Sequence, residues 1–440
     1  MAISQKEMLK LSKQHEIKCM GSEPFSIVWG KGLKVKDAEG KQYLDAISAE
    51  WVLNLGYGQP EIIEAAKKQL DQVEFVTPVL GSVPRVLLAK KLADIAPGRL
   101  KKILFAVTGG GACEGAMHLA MRKTGGQEFI CFYDAFHGRT FGTIPLSYTE
   151  PTMYEECKQG LERYLAKQTR IPNFYCYRCH YGLTYPECDL FCCRFVETTI
   201  KHASDSKVAG VFVEPVQANG GQIPAPKGYL PLLQKICNEN NVAMIVDEVQ
   251  TAFCRCGEFW ASEIEKVSPD LLVLGKSFGA GLPLAGTMAT EEYSHLRQWE
   301  YGFTEIGHPV ACAASLAMIE IMRRERLWEN SRRMGQFMSK RLNEIAENTK
   351  TIGDVRGPGL MIGVEFVKNK RTKKPAFQET AYVMEKAHEL GVIFGRSGPA
   401  YGSFGNVLKM KPAVTLKEEE ATKIIDVFEE SVKLAEKKYA

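Results

Sequence analysis

The chain has 440 residues, of which 45% are hydrophobic and 25% are charged, as is ordinary for a globular protein. Its formal net charge of +4 is small for that length, and no basic block stands out, so we expect neither a nucleic acid nor a membrane surface as a partner. The length exceeds the size at which single hydrophobic cores stop growing, which predicts two or three compact units.

Two further observations bear on location. No apolar run approaches the roughly 18 residues that a membrane span requires. The first ten residues lack the apolar core of a signal peptide. We therefore expect a cytoplasmic protein.

Taken in chain order, the first forty residues predict a β-hairpin that turns at Glu39 and Gly40. From about Pro60, amphipathic helices alternate with short β-branched-rich runs. This repeated β-α-β order predicts an α/β fold with a mainly parallel central sheet and helices on both faces. The strands are predicted at residues 101–107, 128–133, 208–214, 242–246 and 271–274.

The pattern changes after Pro309. A helical stretch over 310–348 has a polar interruption at 323–326, and short strands follow around 359–366 and 391–395. A capping-box pattern at Thr415–Glu418 opens a closing amphipathic helix. These elements predict a smaller α+β domain. The predicted division is a small-domain segment at 1–60, a large domain at 61–325 with a Cys-rich excursion at 151–200, and the C-terminal part of the small domain at 326–440.

Thirteen cysteines are many for a cytosolic chain, and the odd number argues against a disulfide framework. Five of them fall within eighteen residues, at positions 176, 179, 188, 192 and 193. A Cys-x-x-Cys pair followed by further thiols could hold zinc or an iron–sulfur cluster. The second spacing matches no common zinc pattern well, so we assign no metal ligand and interpret the segment as a Cys- and Tyr-rich surface excursion, with metal binding as the alternative.

Two charged residues follow neighbouring buried strands. Asp247 ends the run 242–246, and Lys276 comes just after the run 271–274. Parallel sheets place ligands beyond the carboxyl ends of their strands, so both side chains are expected to face one crevice. An aldehyde cofactor needs such a pair, because the amine forms a Schiff base and the carboxylate keeps a pyridine nitrogen protonated. The alternative for this pair is a structural ion pair.

Three more features converge on that crevice. Thr108 and the glycines that follow it lie between a strand and a helix, a position that suits a bound anion. Phe136 follows the next strand and could stack on a flat ring, while Arg139 could fork onto a carboxylate. Gln250 could hydrogen-bond a phenolic oxygen. Each residue alone also has an ordinary structural explanation.

In the order and spacing of its motifs, nearly the whole chain resembles the class III aminotransferases, pyridoxal-phosphate enzymes of fold type I. The motifs that carry this resemblance are Phe136-His-Gly-Arg-Thr140, Val213-Glu-Pro-Val-Gln217, Asp247-Glu-Val-Gln-Thr251, Leu274-Gly-Lys-Ser277, Thr304 with His308-Pro-Val-Ala-Cys-Ala-Ala314, Gly391-Val-Ile393 and Gly405-Asn-Val-Leu-Lys-Met-Lys-Pro412.

The resemblance implies a role for each matching residue. Lys276 would bind the cofactor aldehyde and then shuttle a proton, and Asp247 would lie against the pyridine nitrogen. Thr304 would reach the phosphate of a neighbouring subunit, which implies a homodimer. The other implied cofactor contacts are Thr108, Gly109 and Gly110 at the phosphate, Phe136 over the ring, Gln250 at the ring hydroxyl, and Glu214.

The substrate pocket, by the same resemblance, includes Arg139, Lys409, Trp51 and Asn219. Family members that handle α-amino acids carry an arginine where this chain has Lys409, and many pair it with a glutamate where this chain has Asn219. A lysine ammonium is a compact charge that does not bind a carboxylate through two parallel hydrogen bonds as an arginine does. Asn219 has no carboxylate that could neutralise this charge. Arg139 matches the position that binds the distal carboxylate in ω-aminotransferases.

The resulting hypothesis is a ping-pong transaminase. Its donor would be a small ω-amino acid or amine, such as 4-aminobutyrate, β-alanine or taurine, and its acceptor a 2-oxo acid such as 2-oxoglutarate. The alternative is an amino-acid racemase or epimerase, because the same scaffold hosts both reactions and a fold alone does not fix a reaction.

Overall fold

A computed structural model describes residues 4–17, 26–147, 160–202, 204, 206–398 and 405–439. Its strands, in chain order, are β1 Ile27–Lys31, β2 Lys34–Asp37, β3 Gln42–Asp45, β4 Leu100–Ala106, β5 Glu128–Phe132, β6 Thr169–Ile171, β7 Val208–Val213, β8 Val216–Gln217, β9 Ile223–Pro224, β10 Ala243–Asp247, β11 Leu271–Leu274, β12 Ala285–Thr290, β13 Ile352–Arg356, β14 Ile362–Asn369, β15 Lys374–Pro375, β16 Val392–Ile393, β17 Gly395–Ser397 and β18 Val407–Met410. Its α-helices are α1 Gln5–His15, α2 Pro60–Gln72, α3 Val83–Ile95, α4 Gly109–Thr124, α5 Phe191–His202, α6 Tyr229–Glu239, α7 Pro309–Arg324, α8 Leu327–Glu347, α9 Phe377–Glu389 and α10 Glu418–Tyr439.

The large sheet has seven strands in the order β4-β12-β11-β10-β7-β5-β6. All of these strands are parallel except β12, which runs antiparallel to β11 and to β4. The predicted mainly parallel α/β sheet is therefore confirmed. The sequence did not indicate β12, because small residues replace the β-branched ones there. A Cβ atom at Gly286 would lie 2.9 Å from Ile103 Cδ1, so close packing requires the small residue.

Alternate residues of the central strands face opposite layers. Met244, Val246 and Leu272 pack in one apolar cluster with α6, whereas Ile245 and Val273 pack in another with α4. This alternation follows from the period of two along a strand. The sheet is therefore covered on both faces, which explains why its strands are apolar throughout.

A second sheet contains β13, β14, β17 and β18, with β15 paired to β14. Its core also includes Leu33, Leu44 and Ala46 near the amino end of the chain, packed with residues of α8, α9 and α10. Leu44 pairs with Val392 across the parallel strands β3 and β16. Distant parts of the sequence thus share one apolar core, although the predicted domain boundaries stay predictions.

Two local predictions in the C-terminal part of the chain can be compared directly with the structure. The stretch 310–348 is divided into α7 and α8 at Arg326, where φ is +48°, as the polar interruption indicates. The predicted capping box at Thr415 is wrong, because α10 begins at Glu418. The Lys417 N–H instead donates to Glu420 Oε2 at 3.1 Å. Among the described helices, none is long and apolar enough to cross a bilayer.

Candidate active site

A cavity of about 400 Å³ opens at the carboxyl ends of the parallel strands, within the usual size range of small-molecule sites. Its walls come from the turns after β4, β5, β7, β10 and β11. The residues that line it are Thr108, Gly109, Gly110, Cys113, Phe136, His137, Gly138, Arg139, Thr140, Glu214, Asp247, Val249, Gln250 and Lys276. The cavity thus brings together eight of the predicted cofactor contacts and one predicted substrate contact, Arg139.

Asp247 is the last residue of β10, and its buried carboxylate is held by three groups. His137 Nδ1 lies 2.7 Å from Oδ2, and the Val249 N–H donates to Oδ1 at 3.0 Å. Cys113 Sγ donates weakly to Oδ2 at 3.7 Å. These contacts fix the direction of the carboxylate at the base of the cavity.

Lys276 follows β11 and has a φ of +47°, a left-handed conformation that costs a lysine roughly 1–2 kcal/mol. Such strain concentrates at functional positions. Burial lowers the pKa of Lys276, and the negative charges of Asp247, Glu214 and Glu50 partly oppose this shift. A lowered pKa increases the fraction of neutral amine, which is the nucleophilic form.

The turn after β4 forms a cradle for an anion. Thr108 caps α4 by accepting the Gly111 N–H at 3.1 Å, and the helix begins at Gly109 rather than at the predicted Ala112. The first N–H groups of a helix have no partners within it. A Cβ atom on Gly138 would lie 2.7 Å from the Gly110 Cα, so both glycines keep the cradle open to a ligand.

The segment after β5 is anchored by Glu214. One carboxylate oxygen of Glu214 accepts the Phe136 N–H at 3.0 Å, and the other accepts the Ala218 N–H at 2.9 Å. Burial raises the pKa of Glu214 to about 7. The Arg139 guanidinium lies 5.1 Å from the centre of the Phe136 ring, and its side chain is exposed at the cavity rim.

Next to this cavity, three lysines surround the indole of Trp51. The Nζ atoms of Lys276, Lys409 and Lys411 lie 5.5, 4.3 and 4.0 Å from the ring centre. Burial lowers the pKa of Lys409 to about 8, the nearby Glu50 opposes this shift, and Lys276 adds to it. Lys409 therefore lies near Lys276.

A strained turn holds Trp51 in place. Residues 48–51 all have φ between +49° and +71°, at a cost of roughly 1–2 kcal/mol each. The Asp45 carboxylate accepts the N–H groups of Ile47 and Ala49, both at 2.8 Å, and the hydroxyl of Tyr57 at 2.8 Å. This network stabilises a conformation that the residues would not adopt by themselves.

Sequence reasoning missed Lys411, His137 and Glu50. Lys411 Nζ donates to Gln250 Oε1 at 2.8 Å, and Gln250 lines the cavity. The sequence carries no signal for this contact, because the burial of Lys411 is seen only in the structure, where a buried lysine needs a polar partner. The expectation that Lys409 has no carboxylate partner is wrong, because the charge of Glu50 acts on Lys409 and opposes the lowering of its pKa.

Four predicted residues do not line this cavity. Trp51 and Lys409 lie beside it, and Asn219 and Thr304 lie elsewhere. Asn219 lies in the turn after β8, and that turn packs on Gly363, which pairs with Lys409 in the second sheet. Asn219 is therefore outside the main cavity, in a turn that packs on the strand next to that of Lys409. Thr304 is exposed to solvent, where it makes no contribution to the cavity of its own chain.

These residues fit pyridoxal phosphate. The glycine cradle suits a phosphate, the oriented Asp247 carboxylate suits a protonated pyridine nitrogen, and the Lys276 amine suits an aldehyde. The family model for aminotransferase class III matches residues 19–432. The chain belongs to the class III aminotransferases. It is accordingly a pyridoxal-phosphate-dependent enzyme of fold type I.

Relatives of this class III aminotransferase carry different activities in their names. The leucine/methionine racemase of Thermococcus litoralis is 32% identical over 93% of this chain and 90% of its own. The 5-aminovalerate aminotransferase of Pseudomonas putida is 33% identical over 92% of this chain and 93% of its own. The solved structure of adenosylmethionine-8-amino-7-oxononanoate aminotransferase from Methanocaldococcus jannaschii has a TM-score of 0.86 and 31% sequence identity. The match covers 98% of this chain and 99% of that one.

Proposed function

We propose that this enzyme transfers an amino group from a small ω-amino acid or amine, such as 4-aminobutyrate, β-alanine or taurine, to a 2-oxo acid such as 2-oxoglutarate. The supporting observation is the placement of two cationic groups, one lining the cavity and one beside it. Arg139 lies beside Phe136, and Lys409 lies beside Trp51. An anionic tail of the donor would bind Arg139, and the 1-carboxylate of the acceptor would bind near Lys409.

The mechanism follows from the positions of the side chains. When bound, pyridoxal phosphate supplies an aldehyde for the amine and an electron sink for the neighbouring carbon. Lys276 would hold the aldehyde of the cofactor and, as the neutral amine that burial favours, would take up the proton from the substrate carbon. The Asp247 carboxylate, held by His137 and the Val249 N–H, would keep a pyridine nitrogen of the cofactor protonated. The acceptor reverses these steps, which makes the kinetics ping-pong.

Single-compound half-reactions test the donor. Holoenzyme without any 2-oxo acid is mixed with one amine at a time, and the visible absorbance of the lysine-bound cofactor is followed. We expect 4-aminobutyrate, β-alanine or taurine to bleach it and release an aldehyde. Bleaching by L-alanine or L-ornithine but by none of the ω-amines would refute the donor assignment.

Amino-acid racemisation or epimerisation is the second candidate function, because the chain is 32% identical to the leucine/methionine racemase of Thermococcus litoralis. That reaction returns the proton to the carbon it left and needs no acceptor. Asn219 cannot serve as its second base, because an amide does not titrate near neutral pH. Loss of optical activity of one amino acid in heavy water, with deuterium incorporation and without a 2-oxo acid, would identify a racemase.

Acceptor binding should depend on the protonation of Lys409. Its pKa is lowered to about 8, so the ammonium that attracts the carboxylate is present below that pH and lost above it. We expect the KM for the acceptor to rise about tenfold per pH unit well above pH 8, while the KM for the donor rises less. Steady-state kinetics across pH 6.5–9.5 measure both.

Lys409→Arg is the matched variant for this pH dependence. A guanidinium remains charged above pH 12, so the rise in acceptor KM should disappear in this variant. Lys409→Met should show a high KM at every pH. An unchanged pH profile in Lys409→Arg would show that another group controls acceptor binding.

We infer that the active unit is a homodimer with Thr304 donated across the interface. The support is an exposed apolar surface formed by residues 79–87 and 299–304, in which Val83 is 73% and Trp299 81% exposed. Gly307, three residues after the second segment, packs against Arg85 of the first. Large exposed apolar patches mark interaction sites, and this one borders the helix that cradles the phosphate, since Phe303 lies beside Gly111.

A further inference from the structure

Three side chains of the cofactor cavity bring a sulfur, a nitrogen and an oxygen atom close together. Cys113 Sγ, His137 Nδ1 and a carboxylate oxygen of Asp247 all lie within 4.8 Å of one another. His137 Nδ1 is 2.7 Å and Cys113 Sγ is 3.7 Å from Asp247 Oδ2. All three residues line the cavity of about 400 Å³, so they border the space that the cofactor would fill.

The cysteines of the Cys-rich excursion do not form such a group. Cys176, Cys179, Cys188 and Cys192 line one small cavity. Among the residues that the structure describes, however, the atoms of Cys113, His137 and Asp247 are the only three such ligand atoms that come within 4.8 Å of one another. The arrangement of the excursion therefore gives no support to metal binding there.

Each of the three ligand atoms is held by a different part of the fold. Cys113 belongs to α4, Asp247 ends β10, and His137 lies in the segment after β5. The His137 N–H donates to Ser147 Oγ at 2.9 Å, and the centre of its ring lies 5.1 Å from that of Phe212. These contacts fix the ligand atoms before any ion arrives, which lowers the entropic cost of binding one.

The donor atoms and their charges fit a zinc-class divalent ion. Zinc binds thiolate, imidazole and carboxylate ligands at about 2.0–2.3 Å, so the donor atoms of a tetrahedral site lie roughly 3.3–3.7 Å apart. The observed separations need shifts of roughly one ångström at most to reach that geometry. One thiolate, one carboxylate and one neutral imidazole balance a divalent charge, so no net charge is buried. Magnesium and calcium prefer oxygen ligands instead.

We propose that the cofactor-free enzyme binds one zinc-class divalent ion through Cys113, His137 and Asp247, and that this ion excludes pyridoxal phosphate. The Cys113 thiol gives its proton to water as the sulfur–metal bond forms. His137 binds through Nδ1, and its remaining ring proton is carried by Nε2. The fourth coordination position then opens toward the cavity that Lys276 also lines.

Exclusion of the cofactor follows from the position of Asp247. Its Oδ2 atom would hold the ion, while Oδ1 keeps the Val249 N–H at 3.0 Å. The carboxylate charge is then neutralised, and the positive ion repels a protonated pyridine nitrogen at the same place. The ion therefore acts as an inhibitor of cofactor loading.

Competition between zinc and the cofactor tests the proposal. Full-length enzyme freed of its cofactor is titrated with pyridoxal phosphate in buffers that fix the free zinc concentration. Free zinc at about ten times its own Kd should raise the apparent Kd of the cofactor about tenfold, whereas magnesium at the same concentration should have no effect. Holoenzyme titrated with Co²⁺ should release cofactor as the visible bands of four-coordinate cobalt appear, and excess pyridoxal phosphate should remove those bands.

Cys113→Ala is the decisive variant, because it removes the sulfur ligand. It should weaken zinc binding at least about tenfold and lose the competition, relative to its own cofactor affinity without zinc. Cys237→Ala removes a buried thiol of α6 outside the cavity and should behave like the wild type. Zinc captured by free pyridoxal phosphate in solution would act equally on every variant, so an equal effect in wild type and Cys113→Ala would overturn the proposal.

Two further results would contradict the site. One is a cofactor affinity that does not depend on zinc. The other is a set of cobalt bands that persists in full when the cofactor is bound, because the ion would then lie at other thiols. If Cys113→Ala does not fold, the wild-type cobalt displacement and the magnesium comparison decide the matter. None of these readouts depends on which substrates the enzyme uses.

Discussion

Replacement of Lys276 by alanine is expected to abolish turnover while the cofactor-free fold keeps its stability within about 1 kcal/mol. In the proposed mechanism this amine both binds the aldehyde and moves the proton, so turnover should be lost. Stability is retained because burial disfavours the charged form of Lys276, as its lowered pKa shows. Removing the lysine side chain therefore removes the unfavourable free energy of burying its charge. Half-reaction spectra and thermal unfolding of the cofactor-free protein measure the two effects.

Lys235→Ala is the matched control, since Lys235 is a solvent-exposed lysine of α6 and should leave both measurements unchanged. Borohydride reduction followed by peptide mapping adds a direct test. The reduced cofactor should be attached to the peptide that contains Lys276. A label on another lysine, or turnover by Lys276→Ala, would remove the basis of the proposed mechanism.

Asp247→Asn is expected to lower kcat by about 10²–10⁴-fold. The amide is nearly isosteric but uncharged, so it no longer stabilises a protonated pyridine nitrogen, and the bound ring becomes a poor electron sink. The fold should change little, because an amide oxygen can still accept the Val249 N–H that Asp247 accepts at 3.0 Å. Single-turnover rates of the half-reaction isolate the chemical step from product release.

Asp247→Glu preserves the charge but moves it away from His137, which now lies 2.7 Å from Asp247 Oδ2. We expect its rate to fall between those of the wild type and Asp247→Asn. If Asp247→Asn reacts within tenfold of the wild type, the carboxylate does not control the ring nitrogen and its role must be reassigned.

The short apolar runs at 242–246 and 271–274 placed Asp247 and Lys276 correctly, because a buried parallel strand has a recognisable length and composition. The glycines after Thr108 predicted a turn but placed the start of α4 three residues late. Glycine is a poor helix former, so only the Thr108 cap and the sheet packing decide that the helix starts at Gly109.

The sequence by itself determined the mainly parallel α/β sheet, the placement of Asp247 and Lys276 at the ends of neighbouring strands and, through its motifs, the family. Local periodicity and spacing carry that information, because each strand and turn depends on residues near to it in the chain. Only the tertiary structure decided that Lys411 contacts Gln250, that Trp51 lies among three lysines, and that four of five clustered cysteines share one cavity. Those contacts join segments far apart in sequence, and their distances depend on how the two sheets pack together.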